Sequence, residues 1–180
     1  MNLVARVRDL GPIEVEIDAP AALVYQMLAA IGQGAQRAGE RAEVVERSGD
    51  RIVADFWTRV ALPFGRWRSV RTREAVRLVP PGRVEYEHLD GPIRGLRESI
   101  AVEPLGSRRA RLVYAGRYQA RGAADALAFR LIAGPAVERA VRDHVADLCG
   151  RAEARAARSR VFAAPAVDVG TPAAQPSAPR

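Results

Sequence analysis

Apolar and polar residues alternate with a period of two along most of the chain before residue 120. The pattern is plain at residues 13–18, where isoleucine and valine alternate with acidic residues, and it resumes at residue 42. Successive side chains of a strand point to opposite faces of a sheet, so this period predicts strands with one covered face. Glycine and proline separate the runs. The predicted strands span residues 13–18, 42–47, 51–62, 66–79, 83–89, 96–104 and 109–119.

Two other segments repeat their apolar residues at helical spacing. The first starts around Pro20, because proline fits the first turn of a helix, and ends near Gly34. The second runs from about residue 123 to residue 158. Proline has no amide hydrogen to donate, so Gly134 and Pro135 should kink this helix or split off its first turns. This order of elements predicts an α+β fold, with the helices on one face of an antiparallel sheet.

Residues 89–96 are predicted to form a stiff turn between two of these strands. Gly91 can adopt backbone angles closed to other residues, and Pro92 fixes its own φ. The strand before the turn carries Tyr86 and His88 on one face, and the strand after it carries Ile100. A stiff turn sets the register of both strands and shapes the edge of whatever the sheet encloses.

Length and composition are typical of one globular domain. The chain has 180 residues, 48% apolar and 27% charged, which predicts a single domain over residues 1–160. Residues 161–180 are rich in alanine and proline without a period and are expected to be a disordered tail. No uncharged run approaches the roughly 18 residues of a membrane span, and no apolar signal-peptide segment follows Met1. A lone cysteine, Cys149, cannot form an intrachain disulfide, so we expect a cytoplasmic protein. We also expect it to be monomeric or homodimeric.

The net charge of +7 comes from basic residues that are all arginine. A basic surface favours anionic partners. The arginines are nevertheless spread along the chain with acidic residues between them, and no nucleic-acid-binding motif is present, so no specific nucleic acid is expected. A basic interaction protein or toxin-like regulator remains one hypothesis.

Several local strings carry a family resemblance over about residues 11–155. They are Ile17-Asp18-Ala19-Pro20 with Val24-Tyr25, and Asp90-Gly91-Pro92-Ile93-Arg94 followed by Leu96. The chain resembles the SRPBCC or START-like (Bet v 1-like) superfamily, and within it the polyketide cyclase/dehydrase and coenzyme Q-binding branch. The resemblance implies a helix-grip fold, in which a curved antiparallel sheet wraps around a long C-terminal helix and a short helical segment follows the first strand. It also implies a cavity for a hydrophobic small molecule, such as a lipid, polyketide or isoprenoid, and no cofactor.

Two details of the resemblance bear on the ligand. Ile100 and Val102 replace the tryptophan and phenylalanine that the coenzyme Q-binding branch usually has after the turn, which removes the argument for a quinone. The string Trp67-Arg68-Ser69-Val70-Arg71 is similar to the W-x-S-x-R strand of aromatic polyketide aromatase/cyclases. That similarity implies an enzyme in which Ser69 and Arg71 face the pocket and orient a poly-β-ketone chain.

The period of two leaves open which face of strand 66–79 lines the cavity. Val70, Thr72, Val76 and Leu78 lie on the face opposite Trp67, Ser69 and Arg71. Both sets cannot point inward unless a bulge switches the faces. Arg71 is therefore either a pocket residue or a solvated residue of the sheet surface.

Eight residues are candidates for ligand contact, most of them aromatic and at inward-facing positions. They are Trp67, Tyr25, Phe56, Tyr86, His88, Ile100, Tyr114 and Tyr118. His88 is either a general base near neutral pH or a hydrogen-bonding group at a strand end, and the tyrosines are either pocket wall or core. Phe56 and its neighbour Trp57 must face opposite sides. The sequence places no second histidine at metal-ligand spacing from His144 or Cys149, so no metal site is predicted.

The leading hypothesis is therefore binding or transport of a hydrophobic small molecule. A cyclase/dehydrase that uses Arg71 and Ser69 is the alternative, because nothing in the sequence assembles an unambiguous nucleophile, base or metal site.

Overall fold

Seven antiparallel strands form one curved sheet that is not closed into a barrel. The computed structural model describes residues 6–33, 40–61 and 67–159. The strand order is β1-β7-β6-β5-β4-β3-β2, so each strand from β2 to β7 pairs with its sequence neighbour and β1 joins the far edge. The strands are β1 (Arg6–Ile17), β2 (Arg41–Ser48), β3 (Arg51–Ala61), β4 (Trp67–Val79), β5 (Arg83–Asp90), β6 (Leu96–Pro104) and β7 (Ala110–Ala120).

Helix α1 (Ala21–Ala29) follows β1, and a longer helical region follows β7. This region consists of α2 (Ala123–Ala128), a π-helical turn (Phe129–Ala133) and α3 (Gly134–Arg158). In the π-helical turn the amide of Gly134 donates to the carbonyl of Phe129, five residues back. Pro135 cannot donate the next helical hydrogen bond, which explains why the interruption lies at this point.

The helices cover one face of the sheet, which we call the enclosed face. α1 packs against β5, β6 and β7, and α3 packs against β1, β3 and α1. On β4 the enclosed face carries Thr72, Glu74 and Val76, all buried. The opposite side, the outer face, carries Arg71 and Arg73. The apolar core lies between the enclosed face and the helices, with Ile17, Leu23, Ile52, Leu96, Leu112 and Leu148 among its fully buried members.

The helix-grip architecture predicted from the sequence is confirmed. The first strand begins earlier than predicted, at Arg6, because Gly11 and Pro12 form a bulge within β1 and do not end it. Gly11 has φ +79°, and a Cβ there would lie 3.0 Å from the carbonyl oxygen of Tyr114. The predicted tail at 161–180 lies outside the described residues. Within the described residues, no helix is long and apolar enough to cross a membrane.

Candidate functional site: an ionisable row on the enclosed face

A continuous row of polar side chains crosses four strands of the enclosed face. The members of this polar row are Thr72 and Glu74 on β4, His88 on β5, Glu98 on β6 and Tyr114 on β7. The Thr72 hydroxyl donates to Glu74 Oε1 at 2.6 Å. Glu98 lies between His88 and Tyr114. Its Oε2 atom is 2.6 Å from His88 Nε2, and its Oε1 atom accepts a hydrogen bond from the Tyr114 hydroxyl at 2.5 Å. The result is a chain of ionisable groups inside an apolar core.

Strand register brings these residues together. Glu74 is paired with His88 across β4 and β5, and Glu98 is paired with Gly116 across β6 and β7. A bulge at Leu89 leaves one extra residue on β5 just before the turn at 91–95, so His88 keeps its place opposite Glu74. The amide of Gly95 donates to the carbonyl of His88 at 3.0 Å, which closes the turn over the end of the row.

Gly116 makes room for the Tyr114 hydroxyl. A Cβ at residue 116 would lie 2.8 Å from that oxygen and 3.2 Å from Leu10 Cβ, closer than side chains tolerate. The phenol therefore lies along its own strand and reaches Glu98. Burial, together with the neighbouring Glu98, raises the pKa of Tyr114 far above its ordinary value, so this hydroxyl remains a donor.

The centre of the row is His88, which faces a carboxyl group on either side. An ionised carboxylate only accepts hydrogen bonds, so the nitrogen facing Glu98, Nε2, carries a hydrogen. The other nitrogen, Nδ1, lies 3.4 Å from Glu74 Oε1 and has no hydrogen-bond partner among the residues that the structure describes. Buried polar atoms are nearly always paired, so this nitrogen is an exception that calls for an explanation.

The protonation of the pair formed by Glu74 and His88 is shifted toward the protonated forms. Burial raises the pKa of the Glu74 carboxyl. Burial by itself lowers the pKa of His88, but the hydrogen bond to Glu98 and the charges of Glu74 and Glu98 outweigh it and raise that pKa overall. Both shifts favour protonation of the pair, so a proton bound by either group is held more tightly than it would be in water. Chemically, the row offers a donor or acceptor at Nδ1, beside a carboxyl that burial keeps prone to protonation.

Most of the predicted ligand-contact residues lie on or beside the enclosed face. Tyr86, His88, Ile100 and Tyr114 occupy inward positions of β5, β6 and β7, and burial raises the pKa of Tyr86. Phe56 faces the same side from β3 and packs against the core.

The remaining ligand-contact candidates are placed differently. Tyr25 on α1 is partly buried against the core. The side chain of Trp67 lies outside the described part of the chain. Trp57, the neighbour of Phe56, carries the Arg41 guanidinium 4.3 Å from its ring centroid.

Tyr118 has a different set of contacts from the row. Its ring stacks on Phe129 with centroids 3.9 Å apart, and its hydroxyl lies 3.0 Å from both carboxylate oxygens of Asp125. Asp125 also accepts a hydrogen bond from the backbone amide of Arg121 at 2.8 Å. These contacts fasten α2 and the π-helical turn to the end of β7.

Ser69 and Arg71 do not line the enclosed face. The ladder between β3 and β4 is unbroken from Trp67 to Arg77, so no bulge switches the faces of β4. Ser69 is exposed, and Arg71 lies on the outer face, where it donates to Asp55 at 2.8 Å. The hypothesis that this pair orients a substrate inside the pocket therefore finds no support in their placement. The set of strand 66–79 that lies on the enclosed face is the alternative one, with Thr72 and Val76.

Sequence reasoning missed Thr72, Glu74 and Glu98 as site residues. A signal was present, because Glu98 lies between Leu96 and Ile100 on an otherwise apolar, period-two face. A carboxylate in such a position is either a solvated strand end or a functional group, and only the register distinguishes the two. No group of three or more metal-ligating side chains occurs within the described ranges.

A separate groove of about 520 Å³ lies between β1 and α3. Its lining consists of Pro12, Ile13, Glu14, Val15, Arg142, Val145, Ala146 and Cys149. None of these residues belongs to the polar row, and burial raises the pKa of the Cys149 thiol, which makes it a poor nucleophile.

Known structures share this architecture. The aromatase/cyclase Zhui from Streptomyces superposes with a TM-score of 0.71 at 22% identity, over 83% of this chain and 96% of that one. A START superfamily protein from Mycobacterium smegmatis has a TM-score of 0.54 at 15% identity, over 84% and 97%. A norcoclaurine synthase variant from Thalictrum has a TM-score of 0.55 at 14% identity, over 83% and 98%. No family model and no curated protein sequence matches the chain.

The chain therefore has the START-like, Bet v 1-like helix-grip fold. The identities lie below 25%, so the likeness defines the architecture, and function must be argued from the site.

Proposed function

We propose that this protein binds a hydrophobic small molecule between the enclosed face and the helices, and that the polar row holds a polar group of that molecule. One observation carries the proposal: His88 is 6% exposed, lies between two carboxyl groups, and has a ring nitrogen with no partner among the described residues. Nδ1 is covered by neighbouring side chains, so a ligand hydroxyl or carbonyl group would reach it by displacing them and would then supply the missing hydrogen bond.

Energetics favour a functional explanation of the row. Burying ionisable groups in an apolar core costs free energy unless every group is paired, and apolar substitutes are often more stable. Glu74 is 7% exposed and, among the residues that the structure describes, receives one hydrogen bond from a side chain, that of Thr72. Pockets for small molecules combine apolar walls with a few placed polar groups, which matches a row flanked by Phe56 and Ile100.

The class of ligand follows from these contacts. An apolar ring system or chain would lie against the aromatic and aliphatic side chains, and one hydroxyl or carbonyl would reach the row. The solved structures with this fold include an aromatase/cyclase and a START superfamily protein, which supports a ligand of this kind.

A matched pair of probes tests the proposal. Naphthalene and 2-naphthol share one ring system and differ by a hydroxyl group. We expect the full-length protein to bind both, with about fivefold preference for 2-naphthol, because one buried hydrogen bond contributes about 1 kcal/mol. Titration calorimetry or the fluorescence of 2-naphthol measures both affinities.

The variant His88→Gln isolates the role of Nδ1. Glutamine can retain the hydrogen bond to Glu98 while removing the ring nitrogen that faces Glu74. We expect the preference for 2-naphthol to disappear and naphthalene binding to persist. Arg97→Gln, on the outer face of β6, is the matched control and should keep the preference. Failure of both probes to bind would contradict the proposal, and an unchanged preference in His88→Gln would remove the polar row from it.

The native ligand can be sought independently. Native mass spectrometry of protein purified from its own host, followed by solvent extraction, should reveal a bound apolar compound with an oxygen function.

A second candidate function is proton transfer to or from the bound molecule. It is favoured by the 3.4 Å separation of His88 Nδ1 and Glu74 Oε1, with both pKa values raised. A base at this position would take a proton from the carbon beside a ligand carbonyl, and the C–H electron pair would move to give the enolate. The proton would later return to carbon.

Exchange of 2-tetralone in D₂O tests this second candidate. The wild type should exchange the protons next to the carbonyl for deuterium faster than buffer, as followed by NMR. Glu74→Gln should slow the exchange, whereas Glu103→Gln, an exposed carboxyl on β6, should leave it unchanged. Exchange at the rate of buffer would eliminate enzymatic proton transfer for this probe and leave binding as the proposed function.

A further inference from the structure

An exposed apolar strip runs along the helical segment that follows β7. Leu127, Leu131 and Ile132 are 55%, 65% and 73% exposed. Ala123, Ala124 and Ala128 are exposed on the same segment. We call these six residues the apolar strip. Exposed leucine is ordinary when single, but adjoining apolar residues on one side of a helix indicate an interaction surface.

The π-helical turn explains how the strip forms. A π-helical turn holds one more residue than an α-helical turn, so it widens the face on which side chains emerge. Leu131 and Ile132 are neighbours in sequence, yet both point to solvent. Phe129 of the same turn points inward instead, with its ring stacked on Tyr118. The strip is therefore held on a segment that is packed against the domain from beneath.

Positive charge borders the strip. Arg121 is 72% exposed, and Arg130 is also exposed. Between residues 121 and 137 the sequence contains one acidic residue, Asp125, and Glu138 follows this range. The Asp125 carboxylate is bound to Tyr118 and to the amide of Arg121, and it forms an ion pair with the Arg121 guanidinium at 3.7 Å, so the charge beside the strip is carried by Arg130. The whole chain carries a net charge of +7. An anionic partner is thus complementary to this surface.

We propose that the apolar strip docks on an anionic lipid bilayer, with Leu127, Leu131 and Ile132 entering the boundary between headgroups and acyl chains. Helical segments with apolar residues on one side and arginines beside them bind such surfaces through buried apolar area and attraction to acidic lipids. Contact would be weak, reversible and sensitive to salt.

A second copy of the chain fits the strip less well than a bilayer does. The six residues of α2 and the five of the π-helical turn span about 16 Å, and at a helix diameter of about 10 Å they present roughly 160 Å². That area is small beside the roughly 800 Å² per partner of a stable protein interface. A two-fold contact would also bring Arg121 and Arg130 of both copies close together. A bilayer has neither difficulty, because it has no fixed area and carries the opposite charge.

Docking would place the contact next to the enclosed face. Tyr118 and Phe129 connect the strip directly to β7, the strand that carries Tyr114 of the polar row. The proposal of a docking surface is based on exposure and charge. It stays the same whichever ligand the enclosed face binds.

Vesicle co-sedimentation of the full-length protein tests the proposal. Vesicles of phosphatidylcholine mixed equally with phosphatidylglycerol should bind the protein, and binding should weaken as salt is added. Leu131→Gln combined with Ile132→Gln should lower the partition coefficient between vesicles and water about tenfold or more. The reason is that two apolar side chains that the bilayer would bury are replaced by polar ones. Arg130→Gln should lower it about fivefold.

Matched controls come from exposed residues elsewhere. Val45→Gln, at a position 53% exposed on β2, should leave the partition coefficient unchanged, and so should Arg108→Gln. Equal binding of the Leu131/Ile132 double variant and the wild type would overturn the proposal. A dimer in sedimentation velocity that the double variant abolishes, without vesicle binding by the wild type, would instead assign the strip to a second copy and would also overturn it.

Discussion

The two faces of strand β4 carry ionisable clusters that differ in how completely their charges are paired. On the outer face, Asp55 accepts hydrogen bonds from Arg71 at 2.8 Å and from Arg73 at 2.8 and 2.9 Å. These guanidinium groups, Arg73 first, hold the pKa of Asp55 far below its ordinary range. On the enclosed face, burial raises the pKa of Glu74, the very next residue after Arg73.

This contrast separates a structural cluster from a candidate functional one. Asp55 is buried, but two arginines whose other atoms reach solvent balance its charge, and their hydrogen bonds outweigh the effect of desolvation on its pKa. Glu74 and His88 have no arginine or lysine hydrogen-bonded to them among the described residues, and they carry a shifted protonation equilibrium. Ionisable groups that remain buried without full pairing are typical of sites that bind or react.

Removing Glu98 should give the largest effect on stability. Glu98→Ala leaves the Tyr114 hydroxyl and His88 Nε2 buried without their acceptor, which should cost about 3 kcal/mol in the free energy of unfolding. Urea denaturation measures the loss. Arg97, the adjacent residue on the outer face, provides the control: it pairs with Glu87 at the surface, so Arg97→Ala should cost no more than about 0.5 kcal/mol. Equal losses in the two variants would erase the distinction between the faces.

Weakening the outer cluster should give a smaller, acid-sensitive effect. Asp55→Asn should lower stability at neutral pH by about 1 kcal/mol, because the arginines are partly exposed and regain water. A carboxyl whose pKa is lowered by folding stabilises the protein above its unfolded pKa of about 4. That contribution is lost as pH falls below this value. Denaturation of both proteins between neutral pH and acid should therefore show their stabilities converging, and a constant difference would contradict the assignment.

The sequence predicted the architecture well because period and punctuation are local signals. The alternation around Ile13, the proline that begins α1 and the break at Pro135 each act within a few residues, and each has its counterpart in the structure. The start of β1 was predicted too late, at residue 13, because glycine followed by proline is typical of a strand end. In the structure β1 continues past Gly11 and Pro12, because it pairs with β7 on both sides of the bulge.

The site was less predictable because it depends on pairing between strands. His88 and Tyr114 were candidates on their residue types, but neither Glu74 nor Glu98 has a local motif. Their meeting follows from three antiparallel registers and the extra residue Leu89 in β5. The string around Arg71 shows the same limit from the other side, since a match of residue types says nothing about which face of the strand is covered.

The two faces should also differ in the sign of their pH dependence, and His88 provides the smallest but most specific test. A histidine whose pKa is raised by folding stabilises the protein below its unfolded pKa of about 6.5, and this contribution is lost as pH rises through the folded value. The raised pKa of Glu74 acts in the same direction, because ionising a buried carboxyl disfavours the folded state. The enclosed face should therefore lose stability on the alkaline side, whereas the outer face loses it in acid.

The chain has two histidines, so one substitution makes the measurement direct. In His144→Gln the remaining imidazole signal belongs to His88, and NMR titration should give it a pKa above the ordinary 6.5. Adding Glu74→Gln should lower that pKa, because the charge 3.4 Å from Nδ1 is removed. Asp55→Asn in the same background should leave it unchanged, since Asp55 lies on the other side of the sheet. If His88 titrates at or below 6.5, and Glu74→Gln has no effect, then the two groups do not share a proton and the row is a structural hydrogen-bond network like the outer cluster.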